Sequence, residues 1–200
     1  MISASIKAPV TRVITPFCGW LLARGVTANL LSANGGLGAS VSAIIFFSRG
    51  SYLWGTAITL FFILFDLLDG TLARMSDSGG STWGALLDST LDRISDAAVL
   101  GSIAYFLMKS HDHLVPVLII ALVAGGLVSY IKARAEGLGI ECNGGLAERT
   151  DRLIIIFLAT WLAGFDVPYI LALGVWLLAL ASLYTVGERL LIVYRATMSV

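Results

Sequence analysis

Residues 66–96, DLLDGTLARMSDSGGSTWGALLDSTLDRISD, decide how the rest of the chain is read. Asp66, Asp69, Arg74, Asp77, Asp88, Asp92, Arg93 and Asp96 crowd into this stretch, whereas residues 25–48 before it and 97–108 after it carry no charge. The surroundings make that crowding expensive. Of the 200 residues, 58% are hydrophobic and only 13% charged, and the mean hydropathy is +0.89. A soluble domain carries about 25% charged residues, roughly twice this density. The composition therefore excludes a cytosolic globular domain, a nucleic-acid binder and a disordered tail, and it points to a membrane protein. The 13 Lys and Arg residues balance 13 Asp and Glu, so net charge selects no partner.

At about 20 residues per crossing, this length allows roughly six spanning helices and no second folded domain. Apolar stretches at 29–48, 52–75, 83–108, 114–135, 147–165 and 168–190 supply six. Turn-forming segments separate them: Arg49-Gly50-Ser51, Ser78-Gly79-Gly80-Ser81, Lys109 to His113, Gly137 to Gly145, and Asp166-Val167-Pro168. Ahead of them, Ile6, Val10, Val13, Ile14, Phe17 and Leu21 recur at helical spacing around Lys7 and Arg12, the pattern of an amphipathic helix lying on the membrane surface. The expected fold is thus an all-α integral membrane protein with six transmembrane helices after an N-terminal interfacial amphipathic helix. It is a single domain over 1–200, with a juxtamembrane helix at 1–24 and the bundle at 29–195. Lys7, Pro9, Arg12 and Pro16 interrupt any apolar run at the start, so no cleavable signal peptide is expected. Cys18 and Cys142 cannot make a disulfide framework.

Six spans place both termini on one side. That side receives ten basic residues (Lys7, Arg12, Arg24, Arg74, Lys132, Arg134, Arg149, Arg152, Arg189, Arg195) and the other side two, Arg49 and Lys109. The bias predicts a multi-pass cell-membrane protein whose termini face the cytoplasm.

Ionisable groups within a membrane face a cavity, a partner or a ligand. A structural salt-bridge cluster is the plainer reading, but Asp66, Asp69, Asp88, Asp92 and Asp96 outnumber Arg74 and Arg93, which leaves a cation to be supplied from outside the chain. At about 100° per residue, Asp66, Asp69, Gly70, Ala73 and Arg74 share an arc of roughly 140° on one helix. Gly84, Asp88 and Asp92 step by fours along the next, and the short connection makes the two helices antiparallel neighbours. Four carboxylates then converge without a nearby His or Cys, which suits a hard divalent ion, Mg²⁺ or Mn²⁺, and has room for two ions with a phosphate-bearing substrate. Gly70 and Gly84 clear side chains from its approach, and Arg74 has the geometry to grip a phosphate.

Asp66-x2-Asp69-Gly70-x2-Ala73-Arg74, nine residues, then Gly84-x3-Asp88-x3-Asp92 resembles the signature of the CDP-alcohol phosphotransferases, with eight matching identities over 27 residues. The family's usual gap is one residue shorter, and the Gly79-Gly80 loop absorbs the difference. The resemblance implies a six-helix membrane fold, a homodimer, metal ligation by Asp66, Asp69, Asp88 and Asp92, and Asp92 as general base. It assigns Gly70, Arg74, Ser81 and Gly84 to the CDP side. Asn29-Leu30-Leu31-Ser32 resembles the family's Asn-x-x-Thr nucleotide element, with Ser in place of Thr. The implied reaction is attack of an acceptor hydroxyl on the lipid-side phosphorus of CDP-diacylglycerol, with CMP leaving.

For the acceptor, residues 129–136 (SYIKARAE), 144–153 (GGLAERTDRL) and Asp92-Arg93-Ile94-Ser95-Asp96 resemble the actinobacterial phosphatidylinositol phosphate synthases, which implies inositol phosphate. Lys132, Arg152 and Arg195 are expected at its phosphate, joined by Arg134, Arg149 and Arg189. Each of these also satisfies ordinary positive-inside topology. The near rival is a synthase using glycerol 3-phosphate. An intramembrane prenyltransferase and a divalent-cation transporter are more distant. His111 and His113 read as a solvated outer turn, Asp96 as an ion-pair partner of Arg93 or the base, and Trp20, Trp54, Trp161 and Trp176 as interfacial anchors.

Overall fold

The computed structural model describes residues 15–75 and 81–198, apart from the side chains of Asp66 and Leu67. Residues 15–23 form helix α1. Then follow α2 (Ala28–Phe47), α3 (Tyr52–Ile63), α4 (Phe65–Met75), α5 (Thr82–Lys109), α6 (Val115–Glu136), α7 (Arg149–Ala163) and α8 (Ile170–Met198). No strand occurs among the described residues. Of the expected amphipathic helix, Ile6 to Ile14, with Lys7 and Arg12, lie outside the described residues, and only 15–23 are seen as helix.

Helices occupy all six expected stretches, but length and composition mark four as able to cross a membrane: Ala28–Phe47, Tyr52–Met75, Val115–Glu136 and Ile170–Met198. The other two depart for physical reasons. α5 is 28 residues long but carries Asp88, Asp92, Arg93 and Asp96, so the motif itself breaks its apolar character. α7 has only 15 residues, about 22 Å of helix, and opens on Arg149, Asp151 and Arg152. The stretch expected as one helix over 52–75 divides at Leu64 into α3 and α4. At that division Gly35 of α2 comes close: a Cβ there would lie 2.9 Å from the Phe65 Cβ and 3.1 Å from the Phe62 carbonyl oxygen.

The chain separates into two compact units, residues 1–46 with 54–99 and residues 47–53 with 100–200. In the first, the small residues of α2 let its neighbours close in. A Cβ on Gly36 would sit 2.6 Å from the Leu91 Cβ of α5, and one on Gly38 would meet the Phe62 ring. The Ser42 and Thr59 hydroxyls hydrogen-bond at 2.9 Å, a polar link of the kind that joins membrane helices. Gly36→Val therefore forces α2 from α5, and its thermal midpoint in detergent should fall by the equivalent of about 1–3 kcal/mol. α1 docks by Cys18, Leu21 and Leu22 on Leu31, Leu68 and Leu72. The Cys18 thiol donates to the Leu68 carbonyl at 3.7 Å, and burial pushes its pKa up. Phe17 and Trp20 face outward, stacked at 5.8 Å, with the Arg24 guanidinium 3.7 Å above the indole.

In the second unit α8 packs on both α6 and α7. Val175, Leu178, Ala179 and Ser182 bury one face of α8, and Gly174 gives way to Ala159 of α7. Cys142 is buried as an unpaired thiol.

Candidate active site

The start of α2 is set by Thr27, whose hydroxyl oxygen accepts the Leu30 amide at 3.3 Å, an N-cap on an otherwise unsatisfied donor. Gly25, at φ +78°, makes the preceding turn, in a backbone region glycine enters at little cost. In the following helical turn Asn29 and Ser32 fall on one face, as an i, i+3 pair does. Both line a cavity of about 720 Å³ within the first unit. Leu31 turns instead into the core beside Cys18 and Leu72, and Leu30 is 52% exposed. Of the expected Asn29–Ser32 element, two residues thus reach the cavity and two do not; a linear motif does not reveal which.

α4 brings Asp69 and Gly70 to the same cavity, α5 brings Gly84 and Asp88, and Ser81 lines it just ahead of α5. Asp69 is 7% exposed, and its Oδ2 accepts the Ser32 hydroxyl at 2.5 Å. Such a short bond to a carboxylate holds one Asp69 oxygen in place. Ser32, expected at the nucleotide, lines the cavity and also donates to the Asp69 carboxylate. Ser81 caps α5, its Oγ accepting the Gly84 amide at 2.9 Å. Gly84 has a steric reason: a Cβ there would lie 2.5 Å from the Asn29 Oδ1 and 3.0 Å from the Ser81 Oγ. The first turns of α2 and α5 therefore open on one cavity, and helix N-termini favour anions. Carboxylates and an anion-favouring rim together suit a divalent cation bridging to phosphate.

Arg74 lies back along α4. Its Nη2 donates to the Thr71 hydroxyl at 3.3 Å, and its Nη1 lies 3.8 Å from the point a Gly70 Cβ would occupy. Asp92, one turn beyond Asp88, is not among the described cavity-lining residues. Its carboxylate faces the Arg93 Nη2 at 3.5 Å, and the same nitrogen is 3.8 Å from Asp96. Among the described residues, no three His, Cys, Asp or Glu side chains gather closely enough to hold an ion. The side chain of Asp66, the expected fourth ligand, lies outside the described residues, as does Asp77. Asp69 and Asp88 fit a hard cation as an all-oxygen donor pair with one member already oriented by Ser32.

The expected acceptor residues all belong to the second unit. Lys132 is half-buried and Arg134 exposed near the end of α6; Arg149 opens α7, and Arg195 is exposed in the last turn of α8. Arg152 is 6% exposed, with its Nη1 donating to the Ala147 carbonyl at 3.0 Å. Gly125 leaves room for that side chain, a Cβ there being 3.2 Å from the Arg152 Nε. Arg189 is 2% exposed, and Nε donates to the Gly144 carbonyl at 2.8 Å and Nη1 to the Val128 carbonyl at 2.7 Å. Its Nη2 lies 3.6 Å from the Glu148 carboxylate. Arg189 thus ties the α6–α7 connection to α8, a structural duty its place in the sequence does not announce.

The CDP-alcohol phosphatidyltransferase family model matches residues 25–187. The phosphatidylinositol phosphate synthase of Streptomyces avermitilis is 39% identical over 204 residues, covering 98% of this chain and 83% of that protein. The synthase of the same name from Corynebacterium glutamicum is 39% identical over 188 residues, covering 92% of this chain and 85% of that one. A crystal structure of the Mycobacterium tuberculosis phosphatidylinositol phosphate synthase with CDP-DAG bound matches with a TM-score of 0.86 at 39% identity, over 92% of this chain and 94% of that one. A second structure of the M. tuberculosis protein, in complex with manganese and citrate, matches with a TM-score of 0.83 at 38% identity, over 90% of this chain and 88% of that one. With the family model spanning the cavity residues of α2, α4 and α5, and with relatives matched along nearly the whole chain, the protein belongs to the CDP-alcohol phosphatidyltransferase family.

Proposed function

We propose that the protein is a phospholipid-forming transferase that moves the phosphatidyl group of CDP-diacylglycerol onto inositol 1-phosphate and releases CMP. The observation that carries this reading is the single cavity shared by Asn29, Asp69, Gly70, Ser81, Gly84 and Asp88. Two helix N-termini face the diphosphate there, Gly70 leaves the α4 backbone open to the nucleotide, and Gly84 makes room for Asn29 at the cavity wall. Arg74, exposed on α4, supplies a bidentate donor to a phosphate. Asp66, Asp69, Asp88 and Asp92 would hold the divalent ions, Mg²⁺ or Mn²⁺ and two in number. When bound, they supply neutralisation of the charge that develops on the phosphoryl oxygens. Asp92 accepts the proton of the acceptor hydroxyl as its oxygen forms a bond to the lipid-side phosphorus. The phosphorus–oxygen bond to CMP then breaks.

The names of the relatives favour inositol phosphate over glycerol 3-phosphate as acceptor. Lys132, Arg134, Arg149, Arg152 and Arg195 bind its phosphate. Arg189 adds charge with the donors that its three present partners leave over. We further propose six membrane crossings, with α5 and α7 completing the four apolar spans, and an interfacial α1 anchored by Phe17 and Trp20. The positive-inside bias places the termini and the site on the cytoplasmic side, and the family resemblance implies a homodimer.

The test is CMP release by the purified protein with CDP-diacylglycerol and Mg²⁺, run in parallel with inositol 1-phosphate, glycerol 3-phosphate, serine and free inositol. Turnover is expected with inositol 1-phosphate, and EDTA should abolish it until Mg²⁺ or Mn²⁺ is restored. Equal turnover with free inositol would contradict a basic pocket for phosphate, and EDTA-resistant turnover would contradict ligation by the aspartates.

A further inference from the structure

We infer that Thr185 of α8 is the positioning residue that fixes the arginines at the start of α7, and through them the affinity for a phosphorylated acceptor. Thr185 is fully buried. Its hydroxyl donates to the Ala181 carbonyl at 2.8 Å and accepts the Ala147 amide at 3.1 Å. The peptide groups of Ala147 therefore work in both directions, because the Ala147 carbonyl accepts the Arg152 Nη1 at 3.0 Å. A line of hydrogen bonds runs from α8 through one buried loop residue to the arginine. The same threonine also fits the loop by shape. Gly145 holds φ +117°, and a Cβ at that position would collide with the Thr185 methyl group.

Without the threonine hydroxyl, the Ala147 amide has no acceptor in a site where Ala147 is fully buried. A buried unmade donor is costly, so the loop shifts to find another partner and carries the Ala147 carbonyl with it. Arg152 follows that carbonyl, and Arg149 follows the first turn of α7. The glycine at 145 and the threonine at 185 are thus one device, in which a left-handed backbone residue tucks under a side chain of α8 and the connection has a single seat. The consequence for acceptor affinity rests on the function proposed above; the seating of the loop does not.

Thr185→Val keeps the shape and removes the hydroxyl, and Thr185→Ser keeps the hydroxyl and removes the methyl. Hydrogen exchange on the purified full-length protein reads the seat directly. The 144–148 segment should exchange about tenfold faster in Thr185→Val than in the wild type, as expected when a local bond is lost, with α6 unchanged. In the same variant the KM for inositol 1-phosphate should rise about five- to tenfold, while the KM for CDP-diacylglycerol stays within twofold. Thr185→Ser should restore the acceptor KM. Should Thr185→Val fail to accumulate, Thr185→Ala carries the same expectations. Unchanged exchange at 144–148 would overturn the seat. Faster exchange with an unchanged acceptor KM, equal rises in both KM values, or no rescue by serine would overturn the positioning role. If the wild type does not use inositol 1-phosphate, the proposed function fails, and exchange still decides whether Thr185 seats the loop.

Discussion

Asp92→Asn is expected to lower the rate of CMP release by about 10³-fold, the scale on which loss of a positioned general base is felt. The substitution keeps size and shape, so the Asp69–Ser32 bond and the packing of Leu91 on Gly36 should survive. What it removes is the only form of the side chain that takes a proton at neutral pH. Asp92 also faces Arg93 at 3.5 Å, and the asparagine gives up that ion pair. A control in Asp96→Asn, which weakens the longer Arg93 contact at 3.8 Å and leaves the Asp92 carboxylate in place, separates the two effects. The Asp96 variant should retain most of the turnover. Near-normal turnover in Asp92→Asn would move the proton-accepting role to another group, and a stopped-flow or radiolabelled CMP assay distinguishes these outcomes.

Gly84→Ala is the second large effect, on the order of 10- to 100-fold in kcat/KM for CDP-diacylglycerol, since misplacement by about an ångström in a positioning site costs that much. The added methyl would lie 2.5 Å from the Asn29 Oδ1, closer than atoms tolerate, so the Asn29 amide must swing into the cavity or α2 must retreat from α5. Either movement alters the mouth that both helix N-termini share. Because the clash is with Asn29, the combination with Asn29→Ala should cost less than the sum of the two single changes. Strict additivity in kcat/KM would show that Gly84 serves something other than room for Asn29.

The sequence carried the helical architecture because membrane helices advertise themselves by long apolar runs, and all six expected stretches are helical in the structure. It was less informative about which of them qualify as spans on composition alone. The aspartates that make α5 chemically interesting also spoil its hydropathy, and α7 starts late because residues 137–148 form an irregular connection. The division at Leu64 was not legible: no proline or glycine marks it, and the close approach of Gly35 is a tertiary fact. At the cavity, spacing by fours expects Gly84, Asp88 and Asp92 together; Gly84 and Asp88 line it with Asp69 and Gly70, and Asp92 is not among the described lining residues. The motif gave no hint that Ser32 would bond Asp69, or that Leu30 and Leu31 would point elsewhere. Arg189 was expected at a phosphate because of its charge. Its bonds to the Gly144 and Val128 carbonyls depend on a chain return of 45 and 61 residues, which local pattern does not encode.

In the proposed transfer, aspartates of α4 and α5 serve the chemistry and a phosphorylated inositol is the acceptor. A competition measures it most directly. Purified protein with CDP-diacylglycerol and Mg²⁺ is given equimolar inositol 1-phosphate and glycerol 3-phosphate, and the lipid products are counted by mass spectrometry. The ratio of products is the ratio of kcat/KM values, which is where acceptor discrimination resides. Phosphatidylinositol phosphate should dominate, with CMP formed one for one. A mixture led by phosphatidylglycerophosphate would keep the aspartate chemistry and contradict the acceptor; neither lipid, with CDP-diacylglycerol intact, would contradict the account as a whole.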